Sequence, residues 1–177
     1  MSQAEPSRLA HYMAYVALIA AIALPALTVI LWSFWDQLAV LPAQGLAQIY
    51  DPTLMGLPAR LAGFAVFFLA ALIQAYGLLG LRQTFLEGAA GTPLSARAVN
   101  GFRRFAWVCL VMVFVGMVQH TVLVLLLSVS DPSQMGALSI QFGSKEFSGL
   151  FIALMLIFVA QVFSVGQRAA DENQAFV

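Results

Sequence analysis

The sequence predicts an all-α polytopic membrane protein: a four-transmembrane-helix bundle with both termini cytoplasmic. Three observations carry that reading. Of the 177 residues, 62% are hydrophobic and 9% are charged, against about 25% charged in soluble domains. Four intervals free of Asp, Glu, Lys and Arg reach or exceed the roughly 20 residues that a helix needs to cross a bilayer. The basic residues also lie on one side of those intervals far more than on the other.

The intervals are 9–35, 61–81, 105–130 and 147–167, which places spans at about 12–35, 61–81, 105–129 and 147–168 of a single membrane domain covering residues 1–177. A cytoplasmic loop is expected at 82–104, with outer loops at 36–60 and 130–146. The first interval resembles a signal peptide in its short polar start at Arg8. Its apolar stretch outruns the roughly 7–15 residues of a signal core, however, so it reads as a retained anchor. Orientation follows from the basic residues of the short connections. Arg8, Arg82, Arg97, Arg103, Arg104 and Arg168 fall on one side, and Arg60 and Lys145 on the other. The richer side is the cytoplasmic one, which gives a multi-pass, N-in/C-in membrane protein. Trp32 and Trp35 mark the outer end of the first span, Tyr12 and Tyr15 its inner end, and Trp107 the inner end of the third.

Helices in lipid meet through small residues and polar groups, and each span offers one face of that kind. In the first it is Ala14, Ala17, Ala21, Pro25 and Thr28, with Thr28 expected to meet the carbonyl that Pro25 frees. In the second it is Gly63, Phe67, Ala70, Gln74 and Gly77. The third offers Cys109, Met112, Gly116, Gln119 with His120, and Leu123. The fourth offers Gly149, Ala153, Leu156, Ala160 and Ser164, with Gln161 alongside. In the middle loop, Gly91-Thr92-Pro93 punctuates the chain. Ser95 is placed to N-cap a helix that starts before the membrane and carries Arg97, Arg103 and Arg104.

Both outer loops hold a similar hexapeptide, DPTLMG at 51–56 and DPSQMG at 131–136. This is either the trace of two like hairpins or simply Asp-Pro as a turn and helix start. LSIQF at 138–142 alternates as a short strand does.

No catalytic motif is present: no HExxH, no GxSxG, no phosphate-binding loop and no paired carboxylates within a span. Glu5, Asp36, Asp51, Glu87, Asp131, Glu146, Asp171 and Glu172 all sit in loops or at ends, and a proton-coupled transporter ordinarily needs an acid within a span. His120 is the ionisable residue of the third span, and the other histidine, His11, sits at a different depth. A bis-histidine haem is therefore not expected, and Met112, Met117 and Met155 read as packing rather than copper ligands. No cofactor and no metal are expected. One cysteine, Cys109, excludes an intrachain disulfide, and a balanced charge gives no reason to expect nucleic acid as a direct partner.

The run GTPLSARAVNGFRRFAW before the third span, with the closing FGSKEFSGLFIALMLIFVAQVFSVGQRAADENQAFV, resembles a bacterial family of uncharacterised small four-helix membrane proteins (domain of unknown function, number twenty-nine seventy-five). The resemblance covers roughly residues 80–177, and the first half in hydropathy only. It includes the basic segment entering the third helix and a tail that matches at Gly166, Glu172 and Asn173. The ending QAFV departs from the Asp-Leu-Thr-like ending of many members. The resemblance implies the same four-span fold and no particular activity; some members are encoded beside small helix-turn-helix regulators, which would suit a signalling partner.

Two functions from different classes fit these residues. The first is a non-enzymatic membrane protein that binds or regulates a partner protein, or a second copy of itself, through Arg97, Arg103, Arg104, Arg168, Asp171, Glu172 and Asn173. The alternative is a small transporter or channel subunit with a polar path through Gln74, Gln119, His120 and Gln161. A membrane enzyme whose cofactor or partner supplies the chemistry ranks third.

Overall fold

The computed structural model describes residues 4–38, 51–130 and 143–175. Each apolar interval falls in one long helix, save that the first runs on past Ser33 into a short second helix. α1 runs over Ala4–Ser33, a short α2 over Trp35–Leu38 and a 3-10 turn over Pro52–Leu54, followed by α3 (Leu57–Ala89), α4 (Ala96–Ser130) and α5 (Ser144–Ala175). No strand occurs among the described residues. The LSIQF segment and the second hexapeptide lie outside them.

The segments Arg8–Ser33, Leu57–Ala89, Ala96–Ser130 and Glu146–Ala170 are long and apolar enough to cross a membrane. Leu69, Phe114, Phe151 and Phe158 are all more than half exposed. Apolar exposure on this scale is incompatible with a water-facing surface, and the chain has the make-up of a membrane protein.

The helices are longer than their apolar intervals. The 33 residues of α3 extend about 50 Å and the 35 of α4 slightly more, at about 1.5 Å per residue. A bilayer core is about 30 Å thick. Most of the expected cytoplasmic segment 82–104 is helical: α3 continues to Ala89 and α4 starts at Ala96, as its Ser95 cap suggests, which leaves only 90–95 as connection. Arg82 ends the apolar stretch, but nothing in the local sequence ends the helix there.

α1 packs on α3, α3 on α4 and α4 on α5, whereas α1 and α5 share at most a marginal contact. Each pair is antiparallel. The rings of Trp32 and Phe67 lie 5.6 Å apart, and those of Phe102 and Phe163 5.4 Å apart, so the end of α1 meets the first third of α3 and the start of α4 meets the last part of α5. The bundle is thus a succession of neighbours with one open side.

Small residues set the spacing, much as their periodicity suggests. Ala14, Ala17 and Ala21 are buried in α1, Gly63, Ala70 and Gly77 in α3, and Ala153 and Ala160 in α5. Two expected members of these faces point outward instead. Gln74 is exposed, and a Cβ built on the exposed Gly116 meets nothing within 4 Å. Pro25 sits inside an uninterrupted α1. The Thr28 hydroxyl donates to the Leu24 carbonyl at 2.9 Å, not to the Ala21 carbonyl that Pro25 leaves without its donor, because a Thr side chain reaches back only one turn along its own helix.

One end of the array holds the largest core. Trp32 stacks on Trp35 with centroids 4.5 Å apart, and both pack with Met55, Leu123 and Leu127. The 3-10 turn that delivers Met55 is held by Asp51, whose Oδ1 accepts from the Thr53 backbone N–H at 2.9 Å and from its hydroxyl at 2.6 Å. For the first hexapeptide, Asp-Pro is therefore a turn start. Arg60 clamps this end by donating through Nε to the Met55 carbonyl at 2.7 Å and pairing through Nη2 with Asp36 at 2.5 Å.

Gly101→Ala should destabilise the chain by about 1–3 kcal/mol, the usual cost of overpacking. The new methyl would lie 2.5 Å from the Gly80 carbonyl oxygen. Gly116→Ala should leave stability unchanged or raise it slightly. Thermal unfolding in detergent, followed by circular dichroism, compares the two.

Candidate functional site

The polar residues gather at the end of the array opposite the tryptophans, where α3, α4 and α5 run past their apolar stretches. α3 ends in a Schellman arrangement. Gly91 takes a left-handed φ of +82°, its N–H reaches the Gly88 carbonyl at 3.2 Å, and the Thr92 N–H reaches the Glu87 carbonyl at 3.0 Å. Glycine suits this position because a side chain there is strained. The Gly91-Thr92-Pro93 punctuation is that helix stop.

Ser95 caps α4 as the sequence suggests, with its Oγ accepting from the Ala98 N–H at 3.1 Å. The same hydroxyl donates to Glu87 Oε2 at 2.9 Å, which also accepts from the Thr92 hydroxyl at 3.1 Å. Deeper in, Thr84 Oγ1 donates across to the Ala98 carbonyl at 2.9 Å. The helices can approach this closely because Gly80 and Gly101 face each other, and a Cβ on either would meet the other's carbonyl oxygen within 2.7 Å. The hairpin tip also reaches the fourth long helix, since Leu94 lies over Gly166 of α5. The result is a helical projection pinned by side chains from both of its arms.

Sequence reasoning missed Thr84 and Glu87 because both lie beyond Arg82, in what reads as loop. Their signal was helical spacing: Gly77, Gly80, Thr84 and Glu87 fall on one face of a continuing α3.

The predicted docking residues do not share one face. Arg97, Arg103, Arg168 and Glu172 are exposed. Arg104, about 100° round the helix from Arg103, turns toward α3 and sets its guanidinium 4.7 Å from the centre of the Tyr76 ring. Its aliphatic stem covers Gly80. Arg104 is thus engaged in helix packing and Arg103 is not. The side chains of Asp171 and Asn173 lie outside the described residues.

The intramembrane set is not brought together either. Gln119 and His120 are half-buried, while Gln74 and Gln161 are exposed. Gly77 faces Val108 and Gly80 faces Gly101, so Gln74 lies about 15 Å along the axis from His120, at about 1.5 Å per residue. Gln161 is level with Arg103, farther still. No hydrogen bond joins any two of the four among the described residues, and no group of three or more His, Cys, Asp or Glu there could hold a metal.

Comparison with protein-family models, with curated proteins and with solved structures finds no match to this chain.

Ser95→Ala should cost about 1 kcal/mol through the lost cap and speed amide hydrogen exchange over residues 92–99. Ser95→Asp, ordinarily a competent cap, should fail to restore protection because it sets a second carboxylate against Glu87. Combining it with Glu87→Gln should restore protection. Hydrogen exchange read by mass spectrometry distinguishes these outcomes.

Proposed function

We propose that the chain is a non-enzymatic protein of a bacterial inner membrane that binds and regulates a partner protein through its arginine-bearing end. The observation that carries this reading is the pinned projection of α3 and α4. The Schellman stop, the Glu87 carboxylate shared by Thr92 and Ser95, and the interhelical Thr84 bond hold this connection in one geometry. A preorganised surface lowers the ordering cost of binding, and this one offers Arg97 and Arg103 in the open, with Arg168 and Glu172 on the emerging end of α5. The sequence offers no catalytic motif, and the small four-helix membrane family it resembles brings no activity of its own. The polar path of the transporter alternative has less support, because its four residues are dispersed in depth and two of them face outward.

The N-in/C-in orientation belongs to this proposal and rests on the basic residues at the hairpin end. In intact cells, a membrane-impermeant maleimide should label Gln37→Cys and leave Thr92→Cys unlabelled until the membrane is permeabilised, with native Cys109 replaced by Ser in both. The reverse pattern would invert the topology and discard the docking surface as a cytoplasmic one.

The partner itself is tested by gentle extraction of the tagged full chain from its native membrane. A second polypeptide should be recovered in fixed ratio. Removing residues 169–177 should leave membrane retention intact and abolish that recovery, whereas undiminished recovery would remove the tail from the docking surface. Recovery of the chain as a bare homo-oligomer would overturn the hetero-partner reading.

A further inference from the structure

Arg103 does not only face solvent; it forms the rim of a cleft of about 240 Å³ between α4 and α5. Gln161 and Ser164 face it across the opening, one turn apart on α5. The floor is Ala106, Ile157 and Ala160, of which Ala106 is fully buried and Ala160 nearly so. Trp107 forms the remaining wall, half-exposed. No carboxylate lines the cleft, and Arg103 has no ion pair among the described residues.

The depth of this cleft is defined by the sequence. Arg103 and Arg104 are the last charges before the apolar run of α4, and Arg168 is the first after that of α5. The polar rim therefore lies where apolar helix gives way to charged helix, and the apolar floor continues toward the middle of the span. Trp107, one turn inside Arg103, has the position that tryptophans favour at a membrane interface.

The geometry points to a binding site for one anionic phospholipid. Arg103 presents its planar fork of N–H donors to the phosphodiester. The Gln161 amide and the Ser164 hydroxyl are placed to bond headgroup oxygens, and the first methylenes of an acyl chain lie along Ile157 and Ala160 against the Trp107 indole. A free phosphate would satisfy the rim alone and leave the floor uncovered. A zwitterionic lipid would bring its own cation next to Arg103, with no carboxylate in the cleft to receive it. This site rests on the membrane reading above and shares Arg103 with the proposed docking surface, whereas Arg97 lies outside it.

The test uses the full chain, extracted in non-ionic detergent, stripped of lipid and titrated with phosphatidylglycerol, phosphatidylcholine or inorganic phosphate while bound adducts are counted by native mass spectrometry. One phosphatidylglycerol should saturate before phosphatidylcholine binds, and a large excess of inorganic phosphate should not displace it. Arg103→Gln should weaken phosphatidylglycerol about fivefold, the effect of roughly 1 kcal/mol per basic residue at an anionic lipid surface. Gln161→Leu should shift affinity in the same direction, and Arg97→Gln, outside the cleft, should not. Circular dichroism confirms that each variant keeps its helicity. Equal binding of the two lipids, an Arg97→Gln loss as large as that of Arg103→Gln, or displacement by phosphate would each overturn the site. A carbonate wash of the native membranes separates the two levels: release of the chain would overturn the membrane reading and the lipid site together. Retention without a phosphatidylglycerol preference would overturn the lipid site alone.

Discussion

The close approach of α3 and α4 at Gly80 and Gly101 is the constraint on which the rest of the arrangement depends. With no side chain on either residue, each backbone lies against the carbonyl of the other helix. In lipid there is no hydrophobic drive to bring helices together, so dispersion between closely fitted surfaces has to supply the attraction. That proximity brings the Thr84 hydroxyl within reach of the Ala98 carbonyl and Glu87 within reach of Ser95. Arg104 lies over the same crossing and uses its stem as packing and its head on Tyr76. The firm projection of this hairpin follows from two absent methyl groups.

The two ends of the molecule are held by different physics. Around Trp32, Trp35, Met55, Leu123 and Leu127, large side chains interlock and Arg60 ties down the segment that carries Met55. At the arginine end the core is made mostly of alanines and glycines with Val99 among them, and directional hydrogen bonds supply the precision. The helices engage mainly their neighbours in sequence, so the array has an open side. A polar residue there is turned outward rather than into a shared interior. This is why Gln74 and Gln161 do not join Gln119 and His120: each sits on a helix that meets only part of the array.

Much of the packing was legible as a pattern of small residues. Ala14, Ala17 and Ala21, or Ala153 and Ala160, repeat at helical spacing among large apolar neighbours, and such a stripe has little use facing lipid. The same rule failed at Gly116 and Gln74, because one small or polar residue names a face of the helix without naming a neighbour to receive it. Ser95 and Gly91 were legible because capping is local: the donor, the acceptor and the required φ lie within a few residues of one another. Thr84 and Glu87 were not, since their partners lie beyond the turn and Arg82 marks only the end of the apolar stretch. A charge marks where a helix leaves an apolar environment. It does not mark where its hydrogen bonds stop.

Composition and periodicity were thus sufficient for the number of helices, their apolar lengths, the small-residue stripes that space them and the stop and start of the hairpin, because each of these is a property of one segment in its surroundings. The divergence of Arg103 and Arg104 onto different neighbours, the outward turn of Gln74, the open side of the array and the cleft between α4 and α5 could be read only from the assembled helices. Each of these depends on the rotation and register of one helix against another. Those quantities are set by which surfaces fit, and the hydrophobic pattern of a single helix does not contain them.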